Sequence, residues 1–233
     1  MFPRFLLASL LLSLVGVNCI AANNPDHLEP PFVYENNHPI EQYKATVNKK
    51  LLITKGDYGQ LLVIPSTIYG EWALSIHPSR SDTFSVTYTK AAHQIWPLKT
   101  LAAASHISVR RSNAELPAST ATAVRAAWLA MIERTAPYPP TENVIVDGTS
   151  YEFSIKQNAT LLFGVAHSPT SGRKTKALVH IAQQLREYCL AAAQDRPSLA
   201  GKIETAATRL RGSLLPPSTG AAPPPTETPS PAR

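Results

Sequence analysis

Residues 72–89 read WALSIHPSRSDTFSVTYT. Trp72, Leu74 and Ile76 alternate with small or polar neighbours. Phe84, Val86 and Tyr88 then alternate with Ser85, Thr87 and Thr89, and Pro78 to Asp82 form a break between the two runs. Successive side chains of a strand point to opposite faces, so a period of two marks two half-buried strands joined by a turn. The stretch predicts a β-hairpin with its apolar side on a core.

Upstream, Lys50 to Thr54 and Gln60 to Ile64 carry the residues that suit strands, and Lys55-Gly56-Asp57 between them resembles a turn. A first hairpin is expected there. Downstream, Ile107 and Val109 repeat the two-residue period once more.

The period then changes. Val124, Ala127, Trp128, Met131 and Ile132 recur at helical spacing after the cap candidates Ser119 and Thr120, and Pro137 stops the helix. Tyr151, Phe153 and Ile155 return to alternation, and a Gln157-Asn158 turn leads into a partner strand at Leu161 to Ala166. A second helix follows Gly172, with Leu178, Ile181, Ala182, Leu185 and Cys189 on one stripe. A third starts at Ser198 and ends near Gly212. This order predicts an α+β domain: a mainly antiparallel sheet of about five to six strands with two to three helices packed on one face.

The chain ends divide it further. An apolar run of 13 residues from Phe5 to Val17 follows Arg4 and precedes the small residues Ala21 and Ala22. It is too short to cross a bilayer as a helix and reads as a signal peptide over residues 1–21. Residues 22–42 are polar and proline-rich and read as an irregular leader, 43–212 as the globular domain. Residues 213–233, with seven prolines, read as a disordered, partly polyproline II tail.

Export bounds the chemistry. Cys19 leaves with the signal, so Cys189 stands alone and no intramolecular disulfide forms in the mature chain. Lipid anchoring at Cys19 is disfavoured, because Gly16-Val17-Asn18 does not provide the residues expected before a lipidated cysteine. The formal charge of +6 falls by one, to +5, with the loss of Arg4. The remaining cations are scattered, which points away from nucleic acid and from a polybasic membrane patch. No further apolar run approaches spanning length, so the mature chain is expected to be periplasmic or secreted, with no transmembrane segment.

The most suggestive motif is Gly164 to Thr175, which joins a strand to a helix. Its glycine spacing is wrong for a phosphate loop, since seven residues separate Gly164 from Gly172. A softer reading remains: Ser171, Gly172, Arg173, Lys174 and Thr175 open a helix, and cations in that first turn are better tolerated if an anion sits on the free amides. The plainer reading is a cap by Ser168, Thr170 or Ser171.

His77 and His167 end predicted strands, from which an imidazole can enter a cleft, and they form the alternative polar site. No two histidines share a short metal-ligand spacing, so neither a metal nor a cofactor is expected. Cys189 sits at a core position without an adjoining base, Trp72, Trp96 and Trp128 read as core anchors, and Asp57, Glu71, Asp147 and Glu152 could supply a carboxylate pair, with surface solvation explaining them equally well.

From Trp128 to Tyr188 the layout Asp147-Gly148, Tyr151-Glu152-Phe153, Gly164, Ser168-Pro169, Gly172 and Leu178 to Leu185 resembles that of small uncharacterised exported proteins of Gram-negative bacteria. The resemblance implies a periplasmic setting and carries over no catalytic residue. The leading functional expectation is a non-enzymatic domain that binds another protein or an envelope component, an immunity or inhibitor protein being one form. The rivals are a small envelope hydrolase using His77 or His167 and an anion or phosphoryl-ligand site at 172–175.

Overall fold

The structure is a computed structural model, and it describes residues 26–32, 38–53, 58–66, 69–80, 82–95, 106–137, 148–168 and 172–215. The expected signal peptide and nearly all of the proline-rich tail lie outside the described residues. Six strands are present there: β1 (Gly59–Ile64), β2 (Trp72–Arg80), β3 (Thr83–Ala91), β4 (Val109–Pro117), β5 (Thr149–Gln157) and β6 (Thr160–Ser168). They form one antiparallel sheet in the order β4-β3-β2-β1-β5-β6. Four helices accompany them: α1 (Pro39–Leu51), α2 (Ala118–Ile132), α3 (Arg173–Leu190) and α4 (Arg196–Leu214). The α+β class and the antiparallel sheet agree with the sequence.

Alternation decides the two faces. Leu61, Val63, Leu74, Ile76, Val86, Phe153 and Ile155 point to one side, where Val124, Trp128, Leu178, Ile181, Leu185, Ile203 and Leu210 of α2, α3 and α4 complete a single core. Trp128 is fully buried and meets Phe153 edge-on, with ring centroids 5.3 Å apart. Leu62, Ala73 and Ala91 point to the other side and pack with Val47 and Leu51 of α1 and with Ile95. Helices therefore cover both faces, three on one and α1 on the other, rather than one face alone.

The hairpins follow the reading closely. In the β2–β3 pair Ile76 lies opposite Val86 and Leu74 opposite Tyr88. β2 runs on through Pro78 to Arg80 instead of breaking at Pro78, with a register shift between those residues. Gly59 of β1 stops opposite Ile76, so beyond that point β2 has a neighbour on one side only and a proline without an N–H is tolerated. Between β5 and β6, Asn158 (φ 49°) and Ala159 (φ 67°) form a two-residue turn, and positive φ at both positions matches the right-handed twist of the strands.

The expected strand at 50–54 is corrected: residues 39–51 form α1, and β1 pairs with β2 and β5. Pro39 opens the helix, His38 Nδ1 accepts from the Ile40 N–H at 3.2 Å, and Lys49 and Lys50 suit the negative end of its dipole. The helix is held by burial of Val47 and Leu51 and by an ion pair of Lys44 Nζ with Glu152 Oε1 at 3.0 Å. The β-like run after it is the tail of an amphipathic helix.

Candidate functional site

At one end of the helix-covered face, where β1 leaves the sheet at Pro65 and β2 enters it after Gly70, the core opens into a cleft of about 340 Å³. Strand register builds its floor. Lys90, Trp72, Val63 and Tyr151 lie side by side in one row across β3, β2, β1 and β5, and Tyr88 stands two residues from Lys90 on the same face. Trp72 and Tyr88 meet edge-on at 5.7 Å, the diagonal contact available to large rings on adjacent strands.

Helix α3 makes the opposite wall. Gln183 and Arg186, three residues apart, share one helical face and point at the sheet. The Arg186 guanidinium lies 5.7 Å from the ring centroids of both Trp72 and Tyr88, a cation–π arrangement. Tyr69 stands at the mouth, 67% exposed. Gly70 is required beside it, because a Cβ there would lie 2.5 Å from the Ala91 carbonyl oxygen.

The electrostatics are one-sided. Among the described residues Lys90 and Arg186 line the cleft and no carboxylate does. Burial pushes the Tyr88 phenol above its ordinary range, with Arg186 offsetting part of the rise, and burial raises Tyr151 likewise, offset by its hydrogen bond with Gln183. Both phenols are neutral donors at physiological pH. The described lining is made of rings, two cations and an amide, a set that suits recognition. Trp72, read as a core anchor, does both jobs: it packs in the core and floors the cleft.

Just behind this floor, Glu71 is fully buried on the α1 side and is not a solvated carboxylate. Its Oε1 accepts from the Tyr43 hydroxyl at 2.7 Å, and the Ile95 N–H donates to both oxygens at 3.1 and 2.8 Å. Its own carbonyl accepts from the Ala91 N–H at 2.9 Å. The buried acid thus ties α1, the end of β3 and the segment reaching Ile95 to the start of β2, which steadies Trp72. No local pattern around Gly70-Glu71-Trp72 announces that role.

The residues singled out in the sequence lie elsewhere. Gly172, Arg173, Lys174 and Thr175 do open α3, and Ser171 lies outside the described residues. Two amides of that first turn are already engaged. Asp26 Oδ1 accepts from the Lys174 N–H and, at 3.3 Å, from the Thr175 N–H. The anion at this helix start comes from 148 residues away in the same chain, while the cap candidates Thr170 and Ser171 lie outside the described residues. Leu28 follows, fully buried against Gly164, where a Cβ would approach Leu28 Cδ1 to 2.6 Å. Glu29 and Val165 then exchange both backbone hydrogen bonds at 2.8 Å. Part of the expected leader is thus a strap on the β6 edge.

His77 and His167 point to the α1 side of the sheet, on β2 and β6, with β1 and β5 between them. They do not meet, and neither lines the cleft. His167 Nε2 lies 4.0 Å from Glu29 Oε1. Burial raises the Glu29 carboxyl, and His167 and His27 offset the rise. Cys189 is buried with its thiol 3.7 Å from the Val86 carbonyl oxygen, and burial pushes it up to about 12, which suppresses the thiolate. Among the described residues no group of three His, Cys, Asp or Glu side chains is placed to hold a metal, and no helix is long and apolar enough to cross a membrane. Comparison with protein-family models, with curated proteins and with solved structures finds no match to this chain.

Proposed function

We propose that this chain is an exported, non-enzymatic binding domain whose contact site is the cleft between Trp72, Tyr88 and Tyr151 of the sheet and Arg186 of α3. Its ligand belongs to another protein or an envelope component and presents a flat apolar surface beside a negative charge. The observation that carries the reading is the pairing of three aromatic rings with Lys90 and Arg186 in one concavity. The hydrolase reading has less support, because a general base needs hydrogen-bond reach and His167 Nε2 stands 4.0 Å from the Glu29 carboxylate. The export signal at residues 1–21 supplies the setting.

Affinity capture from envelope extract tests it, using the mature protein, Trp72→Ala and Arg186→Gln, each checked for a retained thermal transition. Components held by the parent and lost by both variants are expected. Retention undiminished by either substitution would dismiss the cleft as the contact site.

A further inference from the structure

We infer that the β6 edge of the sheet is a self-association surface, on which a second copy of this chain pairs its own β6 antiparallel across residues 160–164. The inference is independent of the cleft.

The sheet ends in β4 on one side and β6 on the other, and the two edges are built differently. An unpaired strand edge is a template for another strand, and soluble proteins blunt such edges with charge or proline. β4 carries Arg110, Arg111 and Glu115 and ends in Pro117, and the Arg111 guanidinium donates to the Lys50 carbonyl at 3.0 Å. β6, from Thr160 to Ser168, contains no Asp, Glu, Lys, Arg or Pro.

What guards β6 covers one end of it. Glu29 of the strap exchanges both backbone bonds with Val165 at 2.8 Å, and the strap continues as Pro30-Pro31, which have no N–H to carry the ladder on. Both backbone groups of Val165 therefore point away from β5, and alternation turns those of Phe163 and Leu161 the same way. The turn agrees: it closes on the pair Gln157 and Thr160, which sets the even-numbered residues of β6 against β5. Among the described residues no backbone group pairs with the outward amides and carbonyls of Leu161 and Phe163. The Thr135 hydroxyl stands 3.5 Å from the Phe163 carbonyl oxygen, which keeps a second lone pair. Leu162 packs against the three-helix core, whereas Leu161 and Phe163 face the α1 side and are each 44% exposed.

The occupant follows from the window. The strap closes it at Val165, and the positive φ of Asn158 and Ala159 closes it at the other end. An antiparallel copy centred on Leu162 sets Leu161 of each chain opposite Phe163 of the other. Both residues aim N–H and C=O outward, so each of these pairs exchanges both of its hydrogen bonds. Moving the centre to Leu161 or to Phe163 forfeits a pair, because it requires Ala159 of the turn or the already bonded Val165. The Leu162 register also lays leucine on phenylalanine twice, brings no like charges together and closes on a two-fold axis. An edge this short buries less than the roughly 800 Å² per partner of a standard interface, so the dimer is reversible and forms at high protein concentration.

Sedimentation velocity of the mature protein from about 1 µM to about 1 mM tests this, with a concentration-dependent passage from monomer to dimer expected. Phe163→Lys, at an exposed position, is expected to raise the dimer dissociation constant about ten-fold or more and to leave the Tm unchanged. The register has its own readout. Leu161→Cys and Phe163→Cys chains, mixed and oxidised, are expected to form a 161–163 linked dimer, and either variant alone far less, because identical positions sit diagonally in this register. The native Cys189 is buried and does not compete. A monomer at every concentration would leave the edge to a strand of another protein and overturn the inference. So would a dimer indifferent to Phe163→Lys, or single variants that cross-link as readily as the mixture. None of these readouts involves Trp72 or Arg186, so their failure leaves the cleft reading standing.

Discussion

Helix α3 carries two places suited to a negative charge, and the chain treats them differently. Its N-terminal amides are met by Asp26, brought in by a strap that buries Leu28 and pairs Glu29 with Val165. Nearer its C-terminal end, Arg186 faces a cleft floored by Trp72 and Tyr88 and lined, among the described residues, by no carboxylate. The first place was the more conspicuous in the sequence and is filled from within. Positive potential is a poor guide to a site until the carboxylates of the same chain are placed, because an internal partner is covalently linked and loses less entropy on docking than a free ligand.

The difference can be broken from the strap side. Leu28→Ala is expected to lower stability by about 3 kcal/mol in urea unfolding, the cost of a cavity at a fully buried leucine, and to loosen Asp26 from α3. A change below about 0.5 kcal/mol would mean that the strap does not hold the helix. Asp26→Ala is expected to cost about 1–2 kcal/mol and to expose the Lys174 and Thr175 amides. Phosphate should then raise the Tm of this variant and leave the parent unmoved. A parent stabilised by phosphate through Arg173 and Lys174 would show the helix start to be an open anion site after all.

High pH tests the cleft and spares the cap. Tyr88 and Tyr151 have phenols raised by burial, as do Tyr43, where burial is joined by Glu71, and Tyr188. Each folded value lies above the unfolded one near 10, so the unfolded chain releases its protons first. The stability is fully present below that pH and is lost above it, by about 1.4 kcal/mol per pH unit for each such phenol. Denaturation midpoints from pH 8 to 11 measure this, and Tyr88→Phe should flatten the slope. A flat profile above pH 10 would contradict the burial of these rings. The smallest effect belongs to Arg186→Gln, expected to cost about 0.5–1 kcal/mol, the worth of a partly exposed cation–π contact, while removing ligand capture. A stability loss of about 3 kcal/mol or more would instead make Arg186 a structural residue.

Legibility followed distance along the chain. The β2–β3 and β5–β6 hairpins were readable because their partners are adjacent and share one alternation, and the stripes of α2 and α3 were readable for the same local reason. At α2 the cap expectation fails: Pro117 stands at the cap position, the helix begins at Ala118, and Ser119 and Thr120 lie inside it and donate to Glu204 of α4, at 2.9 and 3.1 Å. Helix α1 went unread because its apolar stripe is thin. Tyr43, Val47 and Leu51 recur every fourth residue among polar neighbours, and the run after Lys50 carries a strand-like composition. Asp26 and Glu71 gave no sign, since their partners lie at separations of 148 and 28 or 24 residues.

By itself, then, the amino-acid order determined the two periods, hence the type of the segments where those periods are strong, with α1 the exception, which side of each is apolar, and that Cys189 points inward. Tertiary packing alone decided that both sheet faces are covered, that Asp26 completes α3, and that Trp72, Tyr151 and Arg186 surround one opening. The physical reason is that burial on one face repeats at a fixed local spacing and so leaves a trace in the sequence. A contact closed across a long loop has no preferred spacing and exists only once the whole sheet is assembled.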